Sequence, residues 1–329
     1  SSESRVHLKR RIQREERSTL LEVEELTKHF NDVKAVDGIN LFIEQGEIVG
    51  LLGINAAGKS TAIYMIATLV PPTKGEILFQ GKSVVDSPES LRNVLGLVPQ
   101  ELALYLELSA WENMQFFGRL YGLKKNERDQ RVREILRLVG LEEKKDALVK
   151  TFSGGMKRRL NLALALLHQP RFVIMDEPTV GIDPQSRNHI LETVRRLNRE
   201  QNMTVLYTSH YMEEVEYLCD RIYIMDQGHI IASGTKEELK AILSSENTIE
   251  VKVDTVNHSF LEGLEQIPGL RSYSVEGKLI TLIVPREMHI LGELFDLARS
   301  HEIGITSVDI KTPTLEDIFL HLTGRTLRD

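Results

Sequence analysis

Short runs of apolar residues alternate with segments of helical periodicity through much of the chain. Four of these runs contain few polar residues, which is typical of strands that are buried on both faces of a sheet. They occupy residues 47–52, 93–98, 171–175 and 204–208. Because strands alternate with helices, the pattern predicts an α/β fold built on an open sheet.

Two further runs precede these buried strands. Residues 21–26 alternate between apolar and polar positions, as a half-buried strand does, and residues 39–43 are also rich in β-forming residues. Between them lies Thr27-Lys28-His29-Phe30. Hairpins are predicted at 75–82, with a turn at Gly81, and at 221–232, with a turn at residues 226–228.

Residues 101–150 have a different pattern, because two amphipathic helices follow each other without a strand between them. Ser109 and Glu112 have the spacing of a capping box, and residues 131–139 predict a second helix that ends at Gly140. We interpret this region as an inserted helical lobe. Its apolar stripe is predicted to be core, with a docking face for a partner as the alternative. The stripe consists of Met114, Phe117, Leu120 and Tyr121.

The pattern changes again near residue 244. A helix at 236–243 and a linker at 244–247 precede a small α+β domain, whose expected role is packing or support of a dimer. Its predicted elements are strands at 248–253 and 305–310, a hairpin across 271–284, and helices near 259–266, 288–300 and 314–322. The predicted boundaries are 1–18 for a basic extension, 19–244 for the α/β domain and 245–329 for the accessory domain.

Composition limits the classes of function that the chain can have. With 329 residues, of which 41% are apolar, the chain can form two cores, and its net charge of −7 disfavours nucleic acid as a partner. Cys219 is the single cysteine, so an internal disulfide is excluded and a reducing compartment is expected. No stretch approaches about 18 uncharged apolar residues, so membrane contact would need a partner.

Residues 1–18 lack the apolar segment of a signal peptide and predict a solvated extension, with a lipid-contacting basic segment as the alternative.

The most specific motif lies between the first buried strand and a predicted helix at 62–69. It fits the pattern G-x-x-x-x-G-K-[ST], in which backbone N–H groups and the positive end of a helix bind phosphates. Lys59 is expected to reach the outer phosphates of a nucleotide, and Ser60 is expected to hold Mg²⁺. The motif consists of Gly53, Ile54, Asn55, Ala56, Ala57, Gly58, Lys59, Ser60 and Thr61.

Polar side chains follow the other buried strands as well. Asp176 and Glu177 end the third run, where two adjacent acids are costly without a cation. Mg²⁺ is therefore predicted at Asp176, and Glu177 is a candidate base for a water molecule. His210 follows the fourth run and is a candidate contact of the γ-phosphate. Gln100 follows the second run, at the edge where open α/β sheets bind ligands.

Two other sites are open to a structural and a functional interpretation. Ser153 is a predicted N-cap, and capping alone would explain it. Gly154 and Gly155 follow in the first helical turn, where glycine costs about 1 kcal/mol relative to alanine, so exposure of N–H groups to an anion is the preferred explanation. Phe30 is either a core residue or a flat surface for a purine base, and the sequence does not separate the two.

Taken in order, these motifs resemble those of the ATPase subunit of an ATP-binding cassette transporter, over residues 20–243. The resemblance implies a P-loop NTPase core that binds ATP and Mg²⁺. In this family the signature closes on the P-loop of a second copy, so a homodimer with two sandwiched ATP molecules is implied. The implied roles are adenine stacking for Phe30, the P-loop for Gly53–Thr61, sensing of Mg²⁺ and of the partner subunit for Gln100, the signature for Ser153-Gly154-Gly155-Met156, the end of the Walker B strand for Asp176 and Glu177, the D-loop for Asp183, and the switch histidine for His210.

Three positions depart from the family pattern. Ile54-Asn55-Ala56 replaces the usual Pro-Asn-Gly, and if position 56 needs a positive φ, the alanine costs roughly 1–2 kcal/mol and weakens nucleotide binding. Met156 replaces the commoner Gln of the signature, and Ile182 replaces the usual Leu of the D-loop. The segment 312–320 resembles the tail of bacterial drug-, antibiotic- and polysaccharide-exporting cassette ATPases.

The resemblance implies an ATPase that powers export through a separate transmembrane permease, at the cytoplasmic face of the cell membrane. One alternative is a soluble cassette ATPase that acts on ribosomes or DNA, but such proteins usually carry two cassettes or long coiled coils. A second alternative is a regulatory nucleotide-binding subunit with little turnover, suggested by Ala56. The transported compound is not encoded in this chain, because the permease selects it.

Overall fold

The computed structural model describes residues 18–54, 57–243, 246–285, 288–312 and 314–323. Almost all of the predicted basic extension, Asn55 and Ala56 of the phosphate-binding motif, and Ser244 and Ser245 lie outside the described residues. The chain divides into two compact units. The first comprises the described residues up to Lys236, and the second comprises those from Glu237 onward.

The first unit alternates strands with helices, as the apolar pattern predicts. Its strands are β1 (Thr19–Phe30), β2 (Val33–Glu44), β3 (Ile48–Leu52), β4 (Lys74–Phe79), β5 (Lys82–Ser83), β6 (Leu95–Val98), β7 (Phe172–Asp176), β8 (Thr204–Ser209), β9 (Arg221–Asp226) and β10 (His229–Gly234). Its helices are α1 (Lys59–Ile66), α2 (Glu89–Arg92), α3 (Ala110–Leu120), α4 (Lys125–Leu138), α5 (Gly154–Leu166), α6 (Pro184–Gln201) and α7 (Met212–Leu218), and α8 (Lys236–Leu243) follows.

A six-stranded sheet forms the centre of this unit, in the order β10-β9-β3-β8-β7-β6. All neighbouring strands run parallel except β10, which is antiparallel to β9. Every residue of β3, β7 and β8 is buried, since helices cover a parallel sheet on both faces. The predicted α/β fold class is confirmed, and the carboxyl ends of the parallel strands meet at one edge.

A second, antiparallel sheet has the order β2-β1-β4-β5. The two short runs predicted at 21–26 and 39–43 are parts of longer strands, because β1 and β2 continue into a hairpin in which Phe30 pairs with Val33. The hairpin turn uses Asn31 in the left-handed region, with φ of 53°. The predicted turn at Gly81 is also observed, with φ of 79°.

The helical segment between β6 and β7 begins as predicted. Ser109 Oγ accepts a hydrogen bond from the Glu112 N–H, and the Glu112 carboxylate accepts one from the Ser109 N–H, which completes the capping box of α3. Helix α4 begins at Lys125, six residues before the predicted start at Arg131. The prediction missed the first turns because their residues are polar and show no apolar periodicity.

The prediction that the apolar stripe of this segment is core is correct for Met114 and wrong for two other positions. Met114 is fully buried, but Leu120 is 65% exposed and Tyr121 is also exposed. The error arises because helical spacing places these residues near one face, whereas burial depends on whether another element covers that end of the helix.

The second unit has the chain order β-α-β-β-α-β followed by a helix. Its elements are β11 (Glu246–Val253), α9 (His258–Glu265), β12 (Ser272–Glu276), β13 (Leu279–Pro285), α10 (Leu291–Ser300), β14 (Ile305–Lys311) and α11 (Leu315–Thr323). The antiparallel sheet has the order β12-β13-β11-β14, which is the split β-α-β arrangement. Apolar residues from its strands and helices, such as Val251, Phe260 and Leu282, form a separate core.

Candidate active site

The carboxyl edge of the parallel sheet brings together residues that are far apart in sequence. Leu52 at the end of β3 pairs with Ser209, and Asp176 at the end of β7 pairs with Thr208. Strands β3, β7 and β8 therefore end at the same level, and Gly53, Glu177 and His210 follow them directly. The sheet register alone places the phosphate-binding motif beside the predicted acids and the histidine.

Lys59, the first residue of α1, points back toward this edge. Its Nζ donates hydrogen bonds to Glu177 Oε1 at 3.0 Å and to the Ser209 carbonyl oxygen at 3.3 Å. The side chain is almost fully buried, and an ammonium group in such a place needs a carboxylate partner. The cation predicted to meet phosphates thus lies against the predicted base.

Glu177 holds the centre of the cluster. His210 Nδ1 lies 2.9 Å from Glu177 Oε1, the same oxygen that accepts from Lys59, while Glu177 Oε2 is buried without a partner among the described residues. The Glu177 backbone adopts the left-handed region with φ of 46°, and its N–H donates to Thr208 Oγ1 at 3.0 Å. A non-glycine residue in this region costs of order 1–3 kcal/mol and persists only where its surroundings hold it.

Burial and charge act against each other in this cluster. Burial raises the pKa of the Glu177 carboxyl, but the charge of Lys59 and the hydrogen bonds from His210 and Lys59 outweigh it, so its pKa lies below the ordinary value. Burial lowers the pKa of the Lys59 ammonium despite the attraction of Glu177 and Asp176. Burial raises the pKa of the neighbouring Asp176 carboxyl, although hydrogen bonds from Thr208 and Ser60 act in the opposite direction.

Asp176 and Ser60 form an oxygen pair beside this cluster. Asp176 Oδ1 accepts from Thr208 Oγ1 at 2.9 Å, and Asp176 Oδ2 lies 3.2 Å from Ser60 Oγ. A buried carboxylate beside a hydroxyl is a suitable donor set for Mg²⁺, which prefers oxygen and is usually bound by one or two carboxylates together with phosphate oxygens. No group of three or more His, Cys, Asp or Glu in the described ranges forms a metal site on its own. The residues therefore fit an ion that shares its ligands with a nucleotide.

A cleft of about 340 Å³ opens next to the P-loop. It is lined by Val33, Lys34, Ala35, Gly58, Ser60, Thr61, Gln227 and Gly228. Gly58 has φ of 92°, and a Cβ there would overlap the Ala35 carbonyl oxygen, which explains why this position of the motif is glycine. Five of these residues come from the β1–β2 and β9–β10 hairpins and were not predicted as site residues. The sequence signal that could have indicated them is their position at hairpin turns, close to Phe30 in one case and directly after β9 in the other.

Phe30 is not a core residue. Its side chain is 48% exposed at the tip of the β1–β2 hairpin, and the Lys28 ammonium lies 5.3 Å from the ring centroid. The core interpretation is therefore wrong, because the hairpin extends the strand beyond the sheet that would cover it. An exposed flat ring remains available for stacking.

The signature segment is built by helix capping and close packing. Ser153 caps α5, since its Oγ accepts from the Met156 N–H at 3.2 Å. A Cβ on Gly155 would lie 2.5 Å from Ser186 Cβ, whereas Gly154 faces open space, with its nearest neighbour 4.0 Å away. Close packing against Ser186 thus explains why residue 155 is glycine, which the sequence did not show. Packing does not explain the glycine at position 154, so exposure of N–H groups is still needed as the explanation for Gly154.

Asp183 and Gln100 lie at the borders of the cluster. Asp183 caps α6, because its Oδ2 accepts from the Ser186 N–H at 3.0 Å. The Gln100 carbonyl oxygen accepts a hydrogen bond from Arg158 Nη1. Burial lowers the pKa of Arg158, and Glu177 is close enough to raise it. Sequence analysis missed Arg158, although the basic run after the glycines signals a cation at that place.

The structure therefore joins Lys59, Ser60, Asp176, Glu177 and His210 into one cluster. Ser153 and Asp183 are not part of it, and within the described residues neither forms a hydrogen bond to a member of the cluster. The cluster can bind phosphate groups and an oxygen-preferring cation, and it holds a carboxylate with one free oxygen beside them.

Comparison with known protein families and relatives gives a consistent result. The model of the ABC transporter family matches residues 36–180, and the model of the C-terminal domain of DrrA1-3-like ATP-binding proteins matches residues 234–323. The chain is 46% identical to the linearmycin resistance ATP-binding protein LnrL of Bacillus subtilis, over 94% of this chain and 100% of that protein. It is 35% identical to the daunorubicin resistance ATP-binding protein DrrA3 of Streptomyces coeruleorubidus, over 93% of this chain and 96% of that protein.

A solved structure shares the fold over about two thirds of this chain. The dimeric ATP-binding cassette MJ0796, in a post-hydrolysis state bound to ADP and Pi, superimposes with a TM-score of 0.61 at 26% identity, over 66% of this chain and 98% of that chain. The resemblance drawn from the ordered motifs is confirmed by these matches, and so is the exporter-type C-terminal domain.

Proposed function

Because the chain belongs to the ABC transporter family, we propose that it hydrolyses ATP at the carboxyl edge of the parallel sheet and thereby powers export through a separate membrane permease. The observation that carries this proposal is the junction of Lys59, Glu177 and His210 at one carboxylate oxygen, directly beside Asp176 and Ser60. A phosphate-binding lysine, a positioned carboxylate and a cation site are the parts that phosphoryl transfer to water requires.

Glu177 is the proposed base for the attacking water. Its Oε1 is held by Lys59 and His210, which leaves Oε2 free to accept a hydrogen bond from water. The lowered pKa keeps the carboxyl ionised at neutral pH, as a base requires. When a triphosphate binds, its negative charge competes with Glu177 for Lys59, so nucleotide binding and release of the base are coupled.

Asp176 and Ser60 would hold Mg²⁺ through their side-chain oxygens. The bound ion would neutralise charge on the phosphate oxygens. Thr208 fixes both acids, because its Oγ1 donates to Asp176 and accepts from the Glu177 N–H. The exposed ring of Phe30 and the cleft beside Gly58 and Ser60 offer a surface for the base and sugar of ATP.

We also propose that two copies share each ATP. Ser153 and Gly154 are both exposed, and they lie at the N-terminus of α5. In a homodimer this helix start would face the P-loop of the second copy, as the resemblance implies, and the dimeric arrangement named for the related cassette MJ0796 supports this.

The helical lobe offers a docking surface for the permease. Exposed apolar residues cluster there, and the rings of Tyr105 and Phe116 pack edge to face with centroids 5.1 Å apart. The other exposed members are Leu102, Leu106, Leu120, Tyr121 and Leu148. Exposed apolar surface of this kind is typical of contact sites. None of the helices that the structure describes is long and apolar enough to cross a bilayer. The relatives are ATP-binding subunits of resistance systems, and on that basis we place the protein at the cytoplasmic membrane surface, bound to its permease.

The two resistance proteins among the relatives favour export of an antibiotic-like compound.

We propose that the first unit carries all of the ATP chemistry and that the second unit is an accessory domain without a catalytic role.

Measurement of Mg-ATP turnover by the purified chain and by Glu177→Gln tests the proposal. The substitution keeps the shape but removes the base, so kcat is expected to fall by a factor on the order of 10²–10⁴. Because the P-loop and Asp176 are unchanged, the variant should still bind ATP and accumulate as an ATP-bound dimer in light scattering. Glu89→Gln, at an exposed glutamate of α2, is the matched control and should keep wild-type turnover. An inactive wild-type chain, or a fully active Glu177→Gln variant, contradicts the proposal.

A further inference from the structure

Helix α7 carries a buried carboxylate that the proposed reaction does not use. Glu214 is 1% exposed, and it lies in the first turn of α7, shortly after His210 in sequence. Its two oxygens accept hydrogen bonds from three hydroxyl groups. These belong to Thr179, to Tyr207 at 2.7 Å and to Ser209 at 3.2 Å. A buried carboxylate is expensive unless such donors surround it, so this group calls for an explanation.

Two of the three hydroxyl groups belong to the segments that hold the active site. Thr179 follows Glu177 by two residues, and Ser209 directly precedes His210. The Ser209 backbone carbonyl accepts from Lys59 Nζ at 3.3 Å, and Ser209 Oγ accepts from the Tyr211 N–H at 2.9 Å. The third hydroxyl belongs to Tyr207, which lies within β8, and the hydrogen bond described for it among the described residues goes to Glu214 and not to Lys59, Glu177 or His210.

We propose that Glu214 is a positioning residue, which ties the chain after Glu177 to the chain before His210 and so holds these two side chains at hydrogen-bond distance. This inference rests on the proposed ATPase function and deepens it. One oxygen of Glu214 bonds Thr179 and the other bonds Ser209, so the carboxylate bridges the ends of β7 and β8 behind the active site.

The backbone of Glu177 explains why such a bridge is needed. Its left-handed conformation, with φ of 46°, is unfavourable for a side chain with a Cβ and must be held from both sides. On the N-terminal side Thr208 accepts the Glu177 N–H, and on the C-terminal side the bond between Thr179 and Glu214 restrains the chain. Without that bond, relaxation of residues 177–179 would move Glu177 away from His210.

A carboxylate is the side chain that suits this bridge. Both of its oxygens act as acceptors, and all three surrounding hydroxyls donate. A glutamine has the same shape but replaces one acceptor oxygen by an NH₂ group, which cannot accept from a hydroxyl. Glu214→Gln therefore removes the negative charge and one acceptor with little change in volume, so at least one hydroxyl can no longer donate to position 214.

The test is steady-state hydrolysis of Mg-ATP by the full chain and by Glu214→Gln. Loss of alignment at Glu177 is expected to lower kcat by about 10- to 100-fold, because displacement of a catalytic group by 1 Å can cost about 10²-fold. The KM for ATP should stay within about twofold, since none of the P-loop residues is touched. Thr179→Val and Ser209→Ala, which each remove one hydroxyl of the bridge, should show the same selective loss of kcat.

Tyr207→Phe is the matched control. It also removes a buried hydrogen bond to Glu214 but leaves both segments tied, so it should lower the melting temperature and keep kcat within about twofold of wild type. Glu213→Gln, at the exposed neighbour in the same helical turn, leaves the bridge intact and should keep kcat near wild type.

Several results would overturn the inference. They are wild-type kcat in a folded Glu214→Gln variant, a rise in KM with unchanged kcat, or an equal loss of kcat in Tyr207→Phe. If Glu214→Gln does not fold, wild-type kcat in both Thr179→Val and Ser209→Ala has the same meaning. If the wild-type chain hydrolyses ATP and Glu214→Gln has the same kcat, this inference alone is refuted. If the wild-type chain does not hydrolyse ATP, the proposed function is refuted together with it.

Discussion

The two units of this chain bury very different groups. Among the described residues, each buried polar or charged side chain lies in the first unit, and these include Lys59, Asp176, Glu177 and Glu214. The buried core of the second unit is entirely apolar, with residues such as Val251, Phe260 and Leu282. Both units therefore have a hydrophobic core, but only the first also carries desolvated charge.

This difference separates stability from function. Burial of an apolar side chain stabilises a fold, whereas burial of a charge costs free energy unless partners compensate it. Charges buried at one edge of a sheet are therefore explained better by function than by stability. The perturbed pKa values of Asp176, Glu177 and Lys59 also indicate a functional site at that edge. The described residues of the second unit include no buried charged side chain, and the raised pKa values of Tyr273 and Lys311 there come first from hydrogen bonds to Glu265 and Glu250 and not from burial. This difference supports the proposal that the second unit is an accessory domain.

The largest effect is expected from a core truncation in the second unit. Phe260→Ala removes a fully buried ring and should destabilise this unit by about 3–5 kcal/mol. Protection of the β11 and β13 amides against hydrogen exchange measures the loss, and ATP turnover of the intact chain should remain near wild type. Phe295→Ala, at a phenylalanine on α10 that is 48% exposed, is the control and should have little effect on either.

The same comparison predicts the behaviour of a chain that ends at residue 243. If the first unit carries the whole nucleotide site, the truncated chain should still bind ATP. Loss of ATP binding by a folded truncation, or loss of turnover in Phe260→Ala, would show that the second unit contributes to the site.

A smaller but catalytic effect is expected at the signature helix. Gly155→Ala places a Cβ 2.5 Å from Ser186 Cβ, so α5 must move, and ATP turnover should fall by up to about 10²-fold. Gly154→Ala faces open space and should cost much less. Adding Ser186→Gly removes the obstructing side chain and should restore turnover in part, as a double-mutant cycle would measure. Additive losses would mean that Gly155 serves the nucleotide only and not the packing of α5 against α6.

The smallest effects concern stability, and they have opposite signs at adjacent residues. Because folding raises the pKa of Asp176 above its ordinary 3.8, the ionised carboxyl favours the unfolded state at neutral pH. Asp176→Asn should therefore raise the melting temperature by a few degrees in the absence of nucleotide and Mg²⁺. Folding lowers the pKa of Glu177 below 4.5, so Glu177→Gln should lower the melting temperature and leave Lys59 buried without its partner.

The pH dependence separates these two contributions. The cost of ionised Asp176 is present above its raised pKa and disappears as the pH falls through it, so the gain in Asp176→Asn should shrink as the pH is lowered from 7 toward the ordinary 3.8. The contribution of Glu177 is fully present above 4.5 and is lost only as the pH falls through its lowered pKa. The loss in Glu177→Gln should thus be unchanged at about pH 5. Calorimetry at both pH values decides, and equal shifts in the two variants would contradict the opposite environments inferred for these acids.

Local chemistry in the sequence determined most of the architecture. Apolar runs of five or six residues gave β3, β7 and β8, the Ser109 and Glu112 pair gave the start of α3, and Gly81 gave a hairpin turn. The ordered motifs indicated the family and, with it, the proposed roles of the P-loop and of the two acids. These signals act within a few residues of each other, because periodicity, capping and turn geometry are properties of a short segment of chain.

Tertiary structure alone decided which of these groups meet. Lys59 bonds Glu177 across 118 positions, and Thr179 and Ser209 are tied together by Glu214, a residue with no recognisable local motif. Packing also decided that Leu120 is exposed and that Gly155 must lack a Cβ. The physical reason is that burial and hydrogen bonding between distant segments depend on how helices cover the sheet, which no short stretch of sequence specifies.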